Sequence, residues 1–193
     1  MSDSVEVVPA MASEAEDSLR KRIVEVGSGK GLFLCRYAKL YPNHEIIGLE
    51  LAKKYAEMSH AKLMKLGYQH ACCLSVDACR WMSEQPDVSF DEVHVYFPDP
   101  WWKKRHKKRR VLNEAMVRNI ERTLKHGGEL HFWTDVLEYF ESTLELLADH
   151  TKLVGPEFVP ETPPEDDMDY RTHFERRTRL NQLPVYRSLF RKA

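Results

Sequence analysis

Short apolar runs alternate with stretches of helical period along most of this chain, and that alternation decides the fold class. Arg22–Val26, Glu45–Leu49, Ala71–Val76, Asp91–Phe97 and Glu129–Trp133 read as strands, being apolar and too short for helices. Between them lie Leu32–Tyr41, Lys53–Leu66, a short segment near Cys79–Glu84, Leu112–Lys125 and Leu137–His150, which carry helical periodicity and stop at Pro42, Gly67 or Gly127. Strands that alternate with helices pair in parallel, so the expected architecture is α/β: a mostly parallel sheet with helices on both faces. Gly155–Asp169, rich in proline and acid, reads as a loop. Thr172–Arg179 and Pro184–Phe190 read as extended chain that adds a late antiparallel strand pair. Residues 1–17 read as a flexible lead-in and 18–193 as one domain, large enough for a real core.

Charge is unevenly spread. The chain has 29 Lys/Arg and 30 Asp/Glu, a net charge of -1. Yet Lys103–Arg110 is basic at every position but His106, and the segment from Arg171 to the end holds only one acid, Glu175. The rest of the chain is therefore strongly acidic. Two basic segments on an acidic body imply a steered polyanionic partner. The acidic start of the chain has no basic and apolar leader, and no run of about 18 apolar residues is present, so a cytoplasmic protein without a membrane span is expected. Cys35, Cys72, Cys73 and Cys79 form no Cys-x-x-Cys pair and the nine histidines no His-x-x-x-His pair, so buried thiols and no metal site are expected. Monomer and homodimer are both compatible with the sequence.

The turn Gly27-Ser28-Gly29-Lys30-Gly31 follows the first strand and opens the first helix, where glycines allow backbone to approach a ligand. It lacks the full dinucleotide fingerprint and is not a phosphate-binding lysine loop. Glu50 and Asp77 follow the second and third strands, and with Glu25 and Asp99 they set carboxylates near the carboxyl ends of four successive strands. Ligands of open α/β sheets bind at that edge. Glu50 suits the two hydroxyls of a ribose and Asp77 an adenine amino group. An acid-lined nucleoside site favours a cationic cofactor, and S-adenosylmethionine suits it better than anionic NAD.

The fourth strand runs into Tyr96-Phe97-Pro98-Asp99-Pro100-Trp101-Trp102 and then into the basic run. A carboxylate, two flat aromatic rings and a polycation in one stretch suit chemistry on a nucleic-acid base. Trp101 or Trp102 can stack on a base, worth about 1–3 kcal/mol. Asp135 or Glu175 can accept the adjacent N1 and N2 donors of guanine and so reject adenine.

At these residues the chain resembles the bacterial tRNA (guanine-N7)-methyltransferases. The motifs are Glu25–Gly31, Gly48-Leu49-Glu50, Phe97-Pro98-Asp99-Pro100-Trp101 with Lys103–Arg110, Thr134-Asp135, and Thr172-His173-Phe174-Glu175-Arg176-Arg177. The resemblance implies a Rossmann-like class I methyltransferase that uses S-adenosylmethionine to methylate a guanine in the tRNA variable loop. It assigns Glu25, Glu50, Asp77 and Asp99 to the cofactor site, with Asp99 also catalytic, and the glycine turn, through Gly27, Gly29 and Gly31, is expected to border the same cofactor. It assigns Lys103, Asp135, Thr172, His173, Phe174 and Glu175 to the substrate, while the charge density of the basic run (Arg105, Lys107, Lys108, Arg109, Arg110) by itself suits a spread over several RNA phosphates. The chain departs from the family's pattern in a shorter lead-in before Arg22, in His173 where Lys is common, and in Trp133 where a smaller residue is usual. Two other readings use the same residues: an RNA-binding module that has kept the scaffold without catalysis, and a methyltransferase for another substrate.

Overall fold

The computed structural model describes residues 20–164 and 170–193. The expected lead-in over 1–17 and the end of the expected loop, 165–169, lie outside these residues, as do the side chains of Lys104 and Lys107.

A seven-stranded sheet carries the structure, in the order β3-β2-β1-β4-β5-β7-β6. Its strands are β1 (Arg22–Val26), β2 (Glu45–Glu50), β3 (Ala71–Ser75), β4 (Phe90–Tyr96), β5 (Leu124–Thr134), β6 (Val154–Glu157) and β7 (Tyr186–Arg191). The first five pair in parallel. β7 is antiparallel to both β5 and β6. The helices are α1 (Leu32–Leu40), α2 (Lys53–Lys65), α3 (Ala78–Ser83), α4 (Glu114–Thr123), α5 (Leu137–His150) and α6 (His173–Leu180).

Alternation along the strands divides the core into two layers. Val24, Val26, Val93, Val95 and Phe132 pack with Met82 of α3, Met116, Val117 and Ile120 of α4, and Leu147 of α5. Ile23, Ile46 and Tyr96 pack on the other face with Phe33, Leu34 and Ala38 of α1 and Ala56 and Leu63 of α2. Successive strand residues point to opposite faces, so strands buried on both sides read as continuous apolar runs. Each large apolar side chain buried this way contributes about 1.5–3 kcal/mol.

The α/β expectation, helices on both faces and a late antiparallel pair, matches this structure, but three boundaries differ. β5 starts at Leu124, directly after α4, because Leu124 turns extended and pairs with Phe90. The antiparallel pair is made by β6, which begins one residue before the expected proline-rich loop and runs into it, and β7. Thr172–Arg179, expected as extended chain, lies mainly in α6: Thr172 accepts a hydrogen bond from the Glu175 amide at 3.0 Å and caps the helix.

One polar ladder crosses the apolar layer. His94 is completely buried, with Nδ1 2.8 Å from the Tyr96 hydroxyl and Nε2 3.1 Å from Glu92. Its ring stacks on His131 of the neighbouring strand at 4.5 Å. Burial, helped by neighbouring His131, pushes the His94 imidazole down to about 3, so it is neutral in the fold. The unfolded chain takes up that proton near 6.5, so the stabilisation is complete above that pH and declines as pH falls towards 3. In urea titrations, the stability advantage of the unaltered protein over His94→Gln is therefore expected to be largest at neutral pH and to shrink between pH 6.5 and 3. A pH-independent difference would contradict a neutral buried imidazole.

Candidate active site

β1, β2, β3 and β4 end at one edge of the sheet, and strand order reverses between β1 and β4. Loops leaving those two strands go to opposite faces, and the crevice between them is where such folds hold ligands. The turn after β1 is fitted tightly to its neighbours. Gly27 and Ser28 donate backbone hydrogen bonds to the Leu49 carbonyl at 2.8 and 3.1 Å. A Cβ on Gly48 would come within 2.5 Å of Leu34 and also strike the Ser28 hydroxyl. Gly31, at φ +69°, starts α1 in the left-handed region, and a Cβ there would lie 2.8 Å from that of Ser59. Glu50 joins the turn to β2: one oxygen accepts from the Gly29 amide and the other from the Ala52 amide, both at 2.8 Å.

Two cavities meet at Gly27. The first, about 450 Å³, is lined by Glu25, Lys30, Tyr55, Phe97, Thr172, His173, Phe174 and Arg177 among others. Glu25 is 2 % exposed, and its Oε2 has no hydrogen-bond partner. Burial, reinforced by the negative charge of Glu50, pushes its carboxyl up to about 8. A buried carboxyl with one oxygen left unpartnered fits a ligand carrying a positive group. His173, by contrast, is pushed down by partial burial and by Lys62, Lys30 and Arg176.

The second cavity, about 480 Å³, is lined by Val76, Asp77, Cys79, Asp99, Trp101, Lys108 and Arg109 among others. Asp77 caps α3, its Oδ1 accepting from the Arg80 amide at 3.0 Å. Asp99 is exposed between two prolines. The residues flanking this turn are both in the left-handed region, Phe97 at φ +49° and Trp101 at φ +46°. Non-glycine residues there store about 1–3 kcal/mol each, a strain that clusters at functional sites. The Trp101 ring carries the Arg109 guanidinium at 5.1 Å, whereas Trp102 stands in solvent, 67 % exposed. Phe97 instead faces Phe174 of α6, the rings nearly parallel at 16° with centroids 6.5 Å apart.

The basic run splits. Lys104–Arg109 forms a 3-10 turn, and Lys103, Arg105, Lys108 and Arg109 are exposed. Arg110 departs from its expected place among the phosphate contacts: only 8 % exposed, it donates to the Pro100 carbonyl at 2.9 Å, to Ser142 at 3.1 Å and to Glu138 at 3.3 Å. Its guanidinium also lies over the Tyr139 ring at 4.3 Å. Glu175 departs in the same way. It is 2 % exposed, accepts from the Arg171 amide at 2.7 Å and pairs with Arg179 at 3.2 Å, so its carboxylate is turned away from the first cavity. Asp135 is exposed and accepts from Thr178 at 3.4 Å, which ties it to α6.

Thus the structure gathers Glu25, Gly27, Thr172, His173 and Phe174 round one cavity and Asp77, Asp99, Lys108 and Arg109 round the other, with Glu50 and Gly29 bonded together behind the turn. Lys30, Tyr55, Phe97 and Arg177 complete the first cavity and were not singled out from the sequence. Arg177 follows Phe174 by three positions, which would have placed both on one helix face had α6 been expected as a helix. Among the described residues, Glu92, His94 and His131 bring possible metal-ligating atoms within 4.8 Å of one another, in the buried ladder rather than at this edge.

A family model described as "Putative methyltransferase" matches residues 20–188. The chain is 48% identical over 180 residues to a tRNA (guanine-N(7)-)-methyltransferase of Rhodopirellula baltica, covering 88% of this chain and 65% of the relative. It therefore spans slightly less than two thirds of that protein. It is 34% identical over 168 residues to the protein of the same name from an Exiguobacterium species, covering 85% of this chain and 76% of the relative. In fold it is similar to a precorrin-6y C5,15-methyltransferase from Geobacter metallireducens, with a TM-score of 0.61 at 18% identity, covering 93% of this chain and 87% of that one.

The state of Glu25 has a measurable sign. Its folded value, about 8, lies above the ordinary 4.5, so the native protein keeps a proton that the unfolded chain releases. This favours the fold fully below pH 4.5, and the benefit is lost as pH rises through 8. Relative to the unaltered protein, Glu25→Gln is expected to gain stability steadily between pH 4.5 and 8 and to level off above, as read by urea unfolding. A flat difference would mean that the carboxylate is solvated or paired.

Proposed function

The chain belongs to the bacterial tRNA (guanine-N7)-methyltransferase family, and on that premise we propose that it transfers a methyl group from S-adenosylmethionine to N7 of a guanine in the variable loop of tRNA. The observation that carries this reading is the meeting at Gly27 of a cavity holding a buried carboxyl with one unpartnered oxygen and a cavity bordered by Asp99 and the exposed basic turn.

The residues present fit the cofactor. Glu25 would take its ammonium end and Glu50 and Asp77 its nucleoside end, with the backbone of Gly27, Gly29 and Gly31 leaving room for it. Bound there, S-adenosylmethionine supplies an electrophilic methyl group on a sulfonium. Guanine N7 is unprotonated near neutrality and needs no general base, so the protein's work is alignment, which is worth about 7–11 kcal/mol in favourable cases. Asp99, held between two prolines at the cleft, stabilises the positive charge that the purine gains. The parallel rings of Phe97 and Phe174 form the flat wall for the base, in place of the exposed Trp102. Lys103, Arg105, Lys108 and Arg109 grip phosphates in front of it. We place this activity in the cytoplasm; no described helix is long and apolar enough to cross a membrane.

Mass spectrometry of nucleosides from tRNA incubated with the protein and S-adenosylmethionine is expected to show 7-methylguanosine. Asp99→Ala should lower kcat roughly 100-fold, the scale for a lost electrostatic stabiliser. Cofactor binding without 7-methylguanosine in any tRNA would overturn the reading. Because Glu25 holds a proton up to about pH 8, binding of the cationic cofactor should release protons at pH 7. Calorimetry in buffers of different ionisation enthalpy reads that release, which Glu25→Gln should abolish.

A further inference from the structure

A third cavity, about 400 Å³, lies against a different face of α6 from the first. Its walls include Arg36 of α1, Trp133 of β5, Arg171, and Glu175 and Arg179 of α6, with Arg187 of β7. The side chains of Arg179 and Arg187 are only 11% and 8% exposed. The guanidiniums of Arg171 and Arg187 lie over the Trp133 ring at 4.7 and 5.0 Å.

The carboxylates that reach Arg179 and Arg187 among the described residues are Glu175 and Glu161. Glu175 is 3.2 Å from Arg179 and 3.8 Å from Arg187, and Glu161 is 3.0 and 3.1 Å from them. Two buried donors in the walls, Trp133 Nε1 and Arg187 Nη2, form no hydrogen bond, although Nη2 lies beside Glu161. Collecting guanidiniums out of water is costly unless the charge and the donors are both matched. A tetrahedral oxyanion does both, because its oxygens accept the forked donors of several arginines at once. The cavity has room for such a group.

We propose that this cavity is a phosphate-binding site and that it holds one backbone phosphate of the RNA whose guanine is presented on the other face of α6. The assignment to RNA rests on the methyltransferase reading; the phosphate chemistry does not. With α6 between them, the base on one side and a phosphate on the other would fix the RNA strand across the helix. This grip is separate from the exposed basic turn at the second cavity. An exposed lysine or arginine meets a phosphate as a screened charge, whereas these arginines are already oriented by Glu161, Glu175 and Trp133.

The test compares the unaltered protein with Arg187→Gln, Trp133→Phe and the double variant Lys103→Ala/Arg105→Ala, each over its full chain. Thermal unfolding is followed with and without millimolar pyrophosphate. Pyrophosphate is expected to raise the Tm of the unaltered protein and the basic-turn variant, much less that of Trp133→Phe, and not that of Arg187→Gln. Trp133→Phe keeps an aromatic face for the guanidiniums while removing the N–H together with part of the indole, so it serves if Arg187→Gln folds poorly. Binding of tRNA is then measured against salt. Arg187→Gln should reduce the slope of log affinity against log salt by about one, the share of a single phosphate. S-adenosylmethionine affinity should stay unchanged.

An equal Tm response in all four proteins, or none in the unaltered one, overturns the site. A loss of the Tm response confined to the Trp133 and Arg187 variants, with tRNA binding unaltered in both, overturns the RNA assignment and leaves a site for a free phosphorylated compound. Absence of 7-methylguanosine from tRNA treated with the unaltered protein, alongside that same confined loss of the Tm response, would sink the methyltransferase reading while supporting the phosphate site.

Discussion

A buried carboxyl with one oxygen left without a hydrogen-bond partner, near the end of a central strand, is the constraint on which the site depends. Glu25 lies between β2 and β4, so its surroundings are set by the parallel register of three strands. The glycine turn that follows must bend back over the Leu49 carbonyl to leave space in front of it. That bend needs a strand neighbour without a side chain at Gly48 and a helix start without one at Gly31. Glu50 then holds the turn through the Gly29 amide. The energetic cost of burying Glu25 is thus borne by the most regular part of the fold. A cationic ligand that enters meets a carboxyl already in position, which gives up its proton to pair with it.

Much of this was readable in the chain, for a definite reason. A parallel sheet brings all its carboxyl ends to one edge, so acids that follow successive apolar runs converge without any contact being known. Glu25, Glu50, Asp77 and Asp99 were legible on that basis. Arg109 and Arg110 were not separable by the same logic. They are the same residue type side by side, and what divides them is Glu138 and Ser142, supplied by a helix nearly thirty positions later. α6 was missed for the opposite reason. Its start is spelled out by Thr172 and Glu175 three positions apart, a helix-capping pattern. Its buried face, however, consists of Glu175 and Thr178, so the apolar stripe that announces a helix is missing. Ion pairs do there what leucines do elsewhere, and periodicity of hydropathy is blind to them.

The arginines of this protein consequently do two kinds of work. Those of the 3-10 turn, Arg105 and Arg109, are exposed and screened, although Arg109 also leans on Trp101. Those round Trp133 and Tyr139 lie on aromatic faces with their donors directed. Arginine serves in both because its guanidinium is flat and weakly hydrated, so a ring covers one face while the edge still donates. The second kind links α6, β5 and β7, and so couples the helix that carries His173 and Phe174 to the antiparallel end of the sheet.

The buried position of Arg110 has a wider consequence. By donating to the Pro100 carbonyl it joins the two ends of the segment that carries the exposed basic side chains, and by reaching Ser142 and Glu138 it pins that junction to α5. A chain of charges tethered at one end sweeps a volume that grows with its length; closed into a ring, it is confined to a shell around its anchor. Loop closure costs entropy only slowly with length, so one buried guanidinium suffices to shut a loop of this size. The local concentration of cations in front of Asp99 is then a property of the folded chain rather than of the solution around it. Charge density at the cleft is set by a residue that itself presents none.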